Sequence, residues 1–506
     1  MEVSLYIPLF SQRKNLAIAE LFRIFSLFFN SYYYGMQLTK IIATVRDDYA
    51  KEKIPQLFDA GVDVIRLNFT HATPETAQDL MQEIQRLNAE RKTHLSLLLD
   101  TKGPDIRTGV RETPLAISKN QIFHLLVEEE KMTEESDIFC DYPGILTDVT
   151  VGQQIIIDSG LLLVEVLEVH QDRLVLKALN DAEIGSRRHI NLPGVKIGLP
   201  AMIEKDKTDI LFGIKMGIAY VAASFIRTGE NVKEIRAFLD KNGGESVKII
   251  SKIENKEAID NLEAIVQASD GVMIARGDLG IEMPIHELPV YQKKILDMCF
   301  VYGKPVIIAT ELMKSMVSNP FPTRAEVSDV YNSVMMRADA VMLSDETAVG
   351  KYPIKAVEYM AKTVKEAEKT TNNKHKDFDI QTTEEPEILK KALARYALML
   401  ADEIHAKLIV VFSYSGNLAR YLSALKPNQP VISFTAEESV HYSFGINYAI
   451  ISEKIEKFGS HMSEDQEMAI SILKEKKLVK KGDQILFVGE RITDQGRQPQ
   501  LRIVQM

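Results

Sequence analysis

The sequence predicts an α/β fold: a (β/α)8 TIM barrel with an inserted small β-barrel domain and a C-terminal α/β domain. Three observations predict it. Eight short, β-branched apolar runs recur from residue 39 onward, and most end in polar residues, as buried parallel strands do when their C-terminal ends carry chemistry. Amphipathic stretches such as Pro74 to Arg91 and Pro289 to Tyr302 separate most of them, giving the βα alternation of a closed barrel. The gap between the third and fourth runs is far too long for a crossover helix.

In order, the runs are Thr39 to Val45, Val62 to Asn68, Leu95 to Asp100, Tyr220 to Phe225, Val247 to Lys252, Gly271 to Ala275, Pro305 to Ala309 and Ala338 to Leu343. Between Pro104 and Pro200, short β-type runs alternate with the turn pairs Pro143-Gly144, Ser159-Gly160 and Pro193-Gly194, which marks an inserted β domain. Thr370 to Pro386 is polar and helix-poor and reads as a linker. Beyond it, Lys407 to Phe412, Val431 to Phe434 and Gln484 to Val488 read as strands of a second α/β unit. The expected domains are therefore a barrel at 37–103 and 198–365, an insertion at 104–197, a linker at 366–386 and a C-terminal unit at 387–506.

Residues 1–36 read as an N-terminal extension, disordered or not translated, with Met36 an alternative start. Ile24 to Thr39 carries no charge, yet it falls short of the roughly 20 apolar residues that a membrane helix needs. Glu20 and Arg23 interrupt any signal-peptide core.

The 506 residues hold 71 acidic and 61 basic side chains, a formal charge of −10, which argues against a broad cationic surface for nucleic acid. Cys140 and Cys299 are too few for a disulfide framework or a Cys-rich zinc site, and they fit a reducing, cytoplasmic setting. The expected partners are thus small molecules, with no nucleic acid and no membrane. No glycine-rich dinucleotide or Walker loop is present, so a nucleotide would bind by other means.

In a barrel the strand C-termini converge on one face, and several of these ends are charged. Arg66 and Asn68 lie two apart and point the same way. Asp100-Thr101-Lys102-Gly103-Pro104 ends the third run in hard oxygen donors and a breaker, a combination suited to a cation. Lys252 and Glu254 set an ammonium and a carboxylate on one side of a strand end. Arg276-Gly277-Asp278 adds a flexible backbone and a second carboxylate, and Thr310 ends the seventh run with a hydroxyl. Each alone is compatible with an ion pair or a helix cap. Together on one rim they favour a metal-assisted site for an anionic substrate.

These same residues carry a resemblance. The chain resembles the pyruvate kinase family across roughly residues 37 to 506, through Arg66-Leu67-Asn68-Phe69-Thr70-His71, Asp100-Thr101-Lys102-Gly103-Pro104 with Ile106 to Gly109, Ile184 to Gly194, Lys252-Ile253-Glu254, Ala275 to Gly280, Pro305 to Thr310 and Pro322 to Val330. The resemblance implies transfer of the phosphoryl group of phosphoenolpyruvate to ADP. It implies that Glu254 and Asp278 hold Mg2+ or Mn2+, that Asn68, Thr70, Asp100 and Thr101 hold K+, and that Lys252 and Arg66 meet the phosphoryl group. Gly277 and Asp278 would contact the substrate, and Thr310 would help protonate the enolate. Asn68, His71, Arg107 and Arg188, with Arg187, would meet the nucleotide, the two adjacent arginines reaching over from the insertion as a lid. A homotetramer and a regulatory C-terminal domain that takes a sugar-phosphate effector are implied as well.

The chain departs from the family pattern at Arg46-Asp47, where Gly-Pro is usual, and at Arg187 and Arg188, which replace lysines. Glu311 replaces a common Gln and Asp345 a common Gly, and these extra acids are expected to disfavour anionic substrates modestly. The loop Ser413 to Asn417 resembles the family's effector-phosphate loop but carries Tyr414 where a base is frequent. Two other readings remain open on the residues alone: a metal and enolate lyase or aldolase on the same barrel, and a non-catalytic paralogue. The inserted domain and Arg107 speak against the first, and the intact Lys252 and Asp278 against the second.

Overall fold

The computed structural model describes residues 37–506 except 47, 50, 71, 92–93, 372, 374–379, 382–384, 460–461 and 494–495. The sequence expectations for 1–36, for His71 and for Asp47 fall outside these residues, as does part of the linker.

The eight expected barrel strands are all present: β1 (Lys40–Val45), β2 (Val64–Asn68), β3 (Ser96–Asp100), β4 (Tyr220–Ala223), β5 (Lys248–Ile253), β6 (Gly271–Ala275), β7 (Val306–Ala309) and β8 (Ala340–Leu343). They close in the order β1-β8-β7-β6-β5-β4-β3-β2, all parallel. Parallel strands covered by helices are buried on both faces, which is why they read as unbroken apolar runs. One set of side chains packs outward against the helices, while Ile42, Val64, Leu98, Ile250, Met273, Ile307 and Met342 fill the barrel interior. The barrel is therefore a packed core, and its chemistry is confined to the rim.

The insertion folds as a six-stranded sheet, from Ile190–Asn191 at one edge to Ile138–Phe139 at the other, with a separate two-stranded ribbon. The two enclose their own apolar cluster, including Phe123, Leu125, Val164 and Leu176. The C-terminal unit has strands β9 (Leu408–Phe412), β10 (Val431–Thr435), β11 (Ile450–Lys454), β12 (Gln484–Thr493) and β13 (Gly496–Gln505), ordered β11-β10-β9-β12-β13. Strands β11 and β13 were not among the sequence expectations, and β12 runs on from the expected Gln484 to Val488 as far as Thr493. This unit also closes the barrel floor: Ile446 joins the interior cluster, and its N–H donates to the Tyr220 hydroxyl at 3.3 Å.

Candidate active site

Strands β2 and β3 pair in register, Asn68 opposite Asp100, and so set the first part of the rim. The Arg66 guanidinium donates to Asp100 Oδ2 at 2.6 Å and to Thr44 Oγ1 at 2.8 Å, and all three residues are buried. Burial alone would raise the Asp100 carboxyl, but the charges of Arg66 and Lys252 outweigh it and hold the group below the usual carboxylate range. Asn68 Oδ1 accepts the Thr70 N–H at 3.0 Å, folding the chain back at the strand end. After Asp100, Gly103 adopts φ +71°, and a β-carbon there would come within 2.8 Å of Ser224 Cβ, so the Asp-Thr-Lys-Gly-Pro turn needs its glycine.

On β5, the side chains of Lys252 and Glu254 emerge together as the two-residue spacing predicts. Lys252 Nζ lies 3.2 Å from Asp100 Oδ1, 2.8 Å from Ser224 Oγ and 2.9 Å from Glu254 Oε1. Burial opposes its charge, yet the two carboxylates prevail and its pKa is raised. Glu254 Oε2 accepts the Phe225 N–H at 2.6 Å. Its Oε1 forms the ion pair with Lys252 without the alignment of a directed hydrogen bond. Burial, followed by repulsion from Asp278, pushes the Glu254 carboxyl up to about 7 despite that ion pair. Two neighbouring carboxylates, one of them buried with an under-satisfied oxygen, are the donor set that a divalent cation would stabilise.

Strands β6 and β7 supply the remainder. Arg276 is bound by Asp329 at 2.8 Å and donates to the Thr310 carbonyl at 2.5 Å, so it serves as a brace. The Gly277 N–H donates to Thr310 Oγ1 at 2.9 Å. A β-carbon at Gly277 would meet only Thr310, at 3.7 Å, so packing within the protein does not itself demand glycine there. Thr310 and Glu311 both hold left-handed backbone, φ 69° and 58°, a costly arrangement for side-chain-bearing residues and one typical of functional rims.

Of the candidate residues, Arg66, Asp100, Lys252 and Glu254 form one buried, contiguous cluster, and Thr101 joins it through Ser224. Gly277 and Thr310 pair beside it. Arg107 and Arg188 are instead held at the base and in the body of the insertion. Arg107 pairs with Asp105 and donates to His189 at 2.6 Å, whereas the exposed Arg188 lies 3.3 Å from Asp158. Asp158, next to the Ser159-Gly160 turn pair, thus meets Arg188 within the insertion. Asp345 is matched by Lys314 at 2.5 Å, so its extra negative charge on the rim is offset.

Sequence reasoning missed Ser224 and Thr44. Both are hydroxyls at or near strand ends, the same signal that singled out Thr310. The insertion meets the barrel where Asn191 Nδ2 donates to Glu282 Oε1 at 3.0 Å, a contact between positions with no sequence pattern in common.

A closed parallel barrel with cations and carboxylates gathered on its C-terminal rim, under an inserted β domain, has the architecture of an α/β-barrel enzyme whose rim suits a small anionic substrate. Family descriptions place it further: the pyruvate kinase barrel domain matches residues 36–357 and the pyruvate kinase alpha/beta domain residues 391–504. The chain belongs to the pyruvate kinase family. It is 37% identical over 464 residues to pyruvate kinase 2 of Trypanosoma brucei brucei, covering 90% of this chain and 93% of that one. It is 39% identical over 458 residues to a pyruvate kinase of Eimeria tenella, covering 89% and 86%. The crystal structure of a pyruvate kinase from Cryptosporidium parvum superposes with a TM-score of 0.87 at 33% identity, covering 94% of this chain and 97% of that one.

Proposed function

We propose that this rim transfers the phosphoryl group of phosphoenolpyruvate to ADP, giving pyruvate and ATP, the pyruvate kinase step of glycolysis. The observation that carries the reading is the hold on Lys252: a buried ammonium ringed by Asp100, Glu254 and Ser224 at the barrel mouth. Its raised pKa keeps it charged at neutral pH, so it acts as a fixed positive charge and not as a base.

Arg66 and Lys252 meet the phosphoryl group in transit. The bond from phosphorus to the enol oxygen breaks as a bond from the terminal phosphate oxygen of ADP forms, and negative charge passes to the enolate. Members of the family generally need a divalent metal ion and potassium. Glu254 and Asp278 would hold Mg2+ or Mn2+, which when bound supplies positive charge to the substrate's carboxylate and enolate oxygens. Asn68, Thr70, Asp100 and Thr101 would hold K+. Because Thr310 Oγ1 already accepts from Gly277, its own proton is free to donate, through water, toward the enolate carbon. Gly277 and Asp278 line the substrate, while Asn68, His71, Arg107 and Arg188 would face the nucleotide.

The same reading takes 37–103 with 198–365 as the catalytic barrel, 104–197 as a lid that excludes water, 366–386 as a linker and 387–506 as a regulatory domain, in a cytoplasmic homotetramer. Among the described residues no helix is long and apolar enough to cross a membrane. A lactate-dehydrogenase-coupled assay tests the function. NADH consumption requiring phosphoenolpyruvate, ADP and magnesium together is expected, and its absence would overturn the reading.

A further inference from the structure

We infer that Ser224 is a positioning residue for Lys252, fixing the direction of the ammonium that meets the phosphoryl group; this rests on the reaction proposed above. Ser224 follows strand β4 and is buried. Its Oγ lies 2.7 Å from the Thr101 carbonyl, 2.8 Å from Lys252 Nζ and 3.2 Å from Asp100 Oδ1. The Thr101 carbonyl and the Asp100 carboxylate both only accept, so the single hydroxyl proton goes to the nearer, Thr101, and the hydroxyl oxygen accepts from Lys252. The ammonium makes two directed hydrogen bonds, to Ser224 and Asp100, and an ion pair with Glu254.

Two of those partners have other duties. Asp100 is also bound by Arg66, and Glu254 is a proposed metal ligand whose other oxygen is taken by the Phe225 N–H. Ser224 is the neutral partner, anchored to backbone, whose position does not depend on charge arriving in the site. The anchor is firm. The Ser224 N–H donates to Thr101 Oγ1 at 3.1 Å, Gly103 packs directly against its β-carbon, and Phe225 turns the chain away in left-handed backbone at φ 56°. Lys252 is a flexible four-carbon side chain, so without this acceptor it keeps its charge and its carboxylate partners but loses one of its two directed hydrogen bonds.

The test is steady-state kinetics of Ser224→Ala beside the parent enzyme, with phosphoenolpyruvate and potassium each titrated. The expected result is a fall in kcat of about tenfold to a hundredfold, with the KM for phosphoenolpyruvate and the half-saturating potassium each within about threefold of the parent. A kcat within about twofold of the parent would overturn the inference. So would a loss that saturating potassium restores, because Ser224 would then serve Asp100 and Thr101 instead. If Ser224→Ala does not fold, Ser224→Cys, close in size and a weak acceptor, is read in the same way. An inactive parent would remove the reaction itself; an active parent with an unaffected variant removes only the role of Ser224.

Discussion

The carboxylate of Glu254 lies 2.9 Å from the ammonium of Lys252 on the same strand end, and both are buried. Removing the cation has two consequences. Lys252→Met should lower kcat by about a thousandfold or more, since a fixed charge aimed at a transition state is typically worth several kcal/mol. It also leaves Glu254 without its counter-charge, while Asp100 keeps Arg66. Glu254 can take up a proton, so the variant should still fold, with a lower Tm. Retention of a tenth of parental turnover would contradict the role given to Lys252.

Asp278→Asn removes the charge that helps to raise the Glu254 carboxyl. The variant should need more Mg2+ or Mn2+ for half-maximal activity, because one anionic ligand is gone. Metal titrations of parent and variant, by Mn2+ binding as well as by rate, check this; unchanged metal affinity would argue against Asp278 as a ligand.

Potassium dependence should follow from the oxygen donors around Asn68 and Asp100, which lie opposite one another in register. Asp105 is held by Lys102 at 2.8 Å and by Arg107, so neither cation is free to take the place of potassium. Activity in tetramethylammonium buffer should rise on adding KCl. Equal rates with and without it would refute the site.

Glu282 should give the joint between insertion and barrel a pH dependence. Burial first, and Asp278 second, push its carboxyl up to about 7, against the opposing hydrogen bond from Asn191. A raised carboxyl pKa means that the folded state binds more protons than the unfolded one. Its stabilising contribution is therefore full below the unfolded value near 4.5 and is lost as pH rises through about 7. Glu282→Gln keeps a neutral acceptor for Asn191. In thermal unfolding it should match the parent at acid pH and exceed it in Tm above pH 8, a gap that would be absent if Glu282 titrated normally.

The C-terminal loop should respond poorly to a sugar bisphosphate. Tyr414 is exposed and rests on the Phe458 ring, with centroids 4.3 Å apart, and supplies no charge. Arg420, on the helix Asn417–Ala424, is turned inward to the Ser415 carbonyl at 3.0 Å and Ser443 Oγ at 2.7 Å. The side chains of Arg491 and Arg497 lie outside the described residues. A sugar monophosphate fits the remaining hydroxyls better. Titration at subsaturating phosphoenolpyruvate decides: strong activation by micromolar fructose 1,6-bisphosphate would contradict this, and no response to any sugar phosphate would leave Ser415-Gly416 as a helix cap.

The sequence by itself determined the barrel, because its signals are local. Apolar runs, most of them ending in polar residues, gave all eight strands, and a two-residue spacing put Lys252 and Glu254 on one side of a strand end. What failed was also local in origin: β13, with Gln498, Pro499, Gln500 and Arg502, is too polar to read as a strand until β12 pairs with it. Only the tertiary structure decided who meets whom across the rim. Barrel closure brings Ser224 to Lys252 and Lys314 to Asp345, and the folding of the insertion brings Asp105 to His189 and Asn191 to Glu282, pairs separated by as many as 91 positions. Hydrogen-bonding and charge complementarity act at about 3 Å in space and leave no periodicity along the chain, so these partners become visible only once strands and insertion are in place.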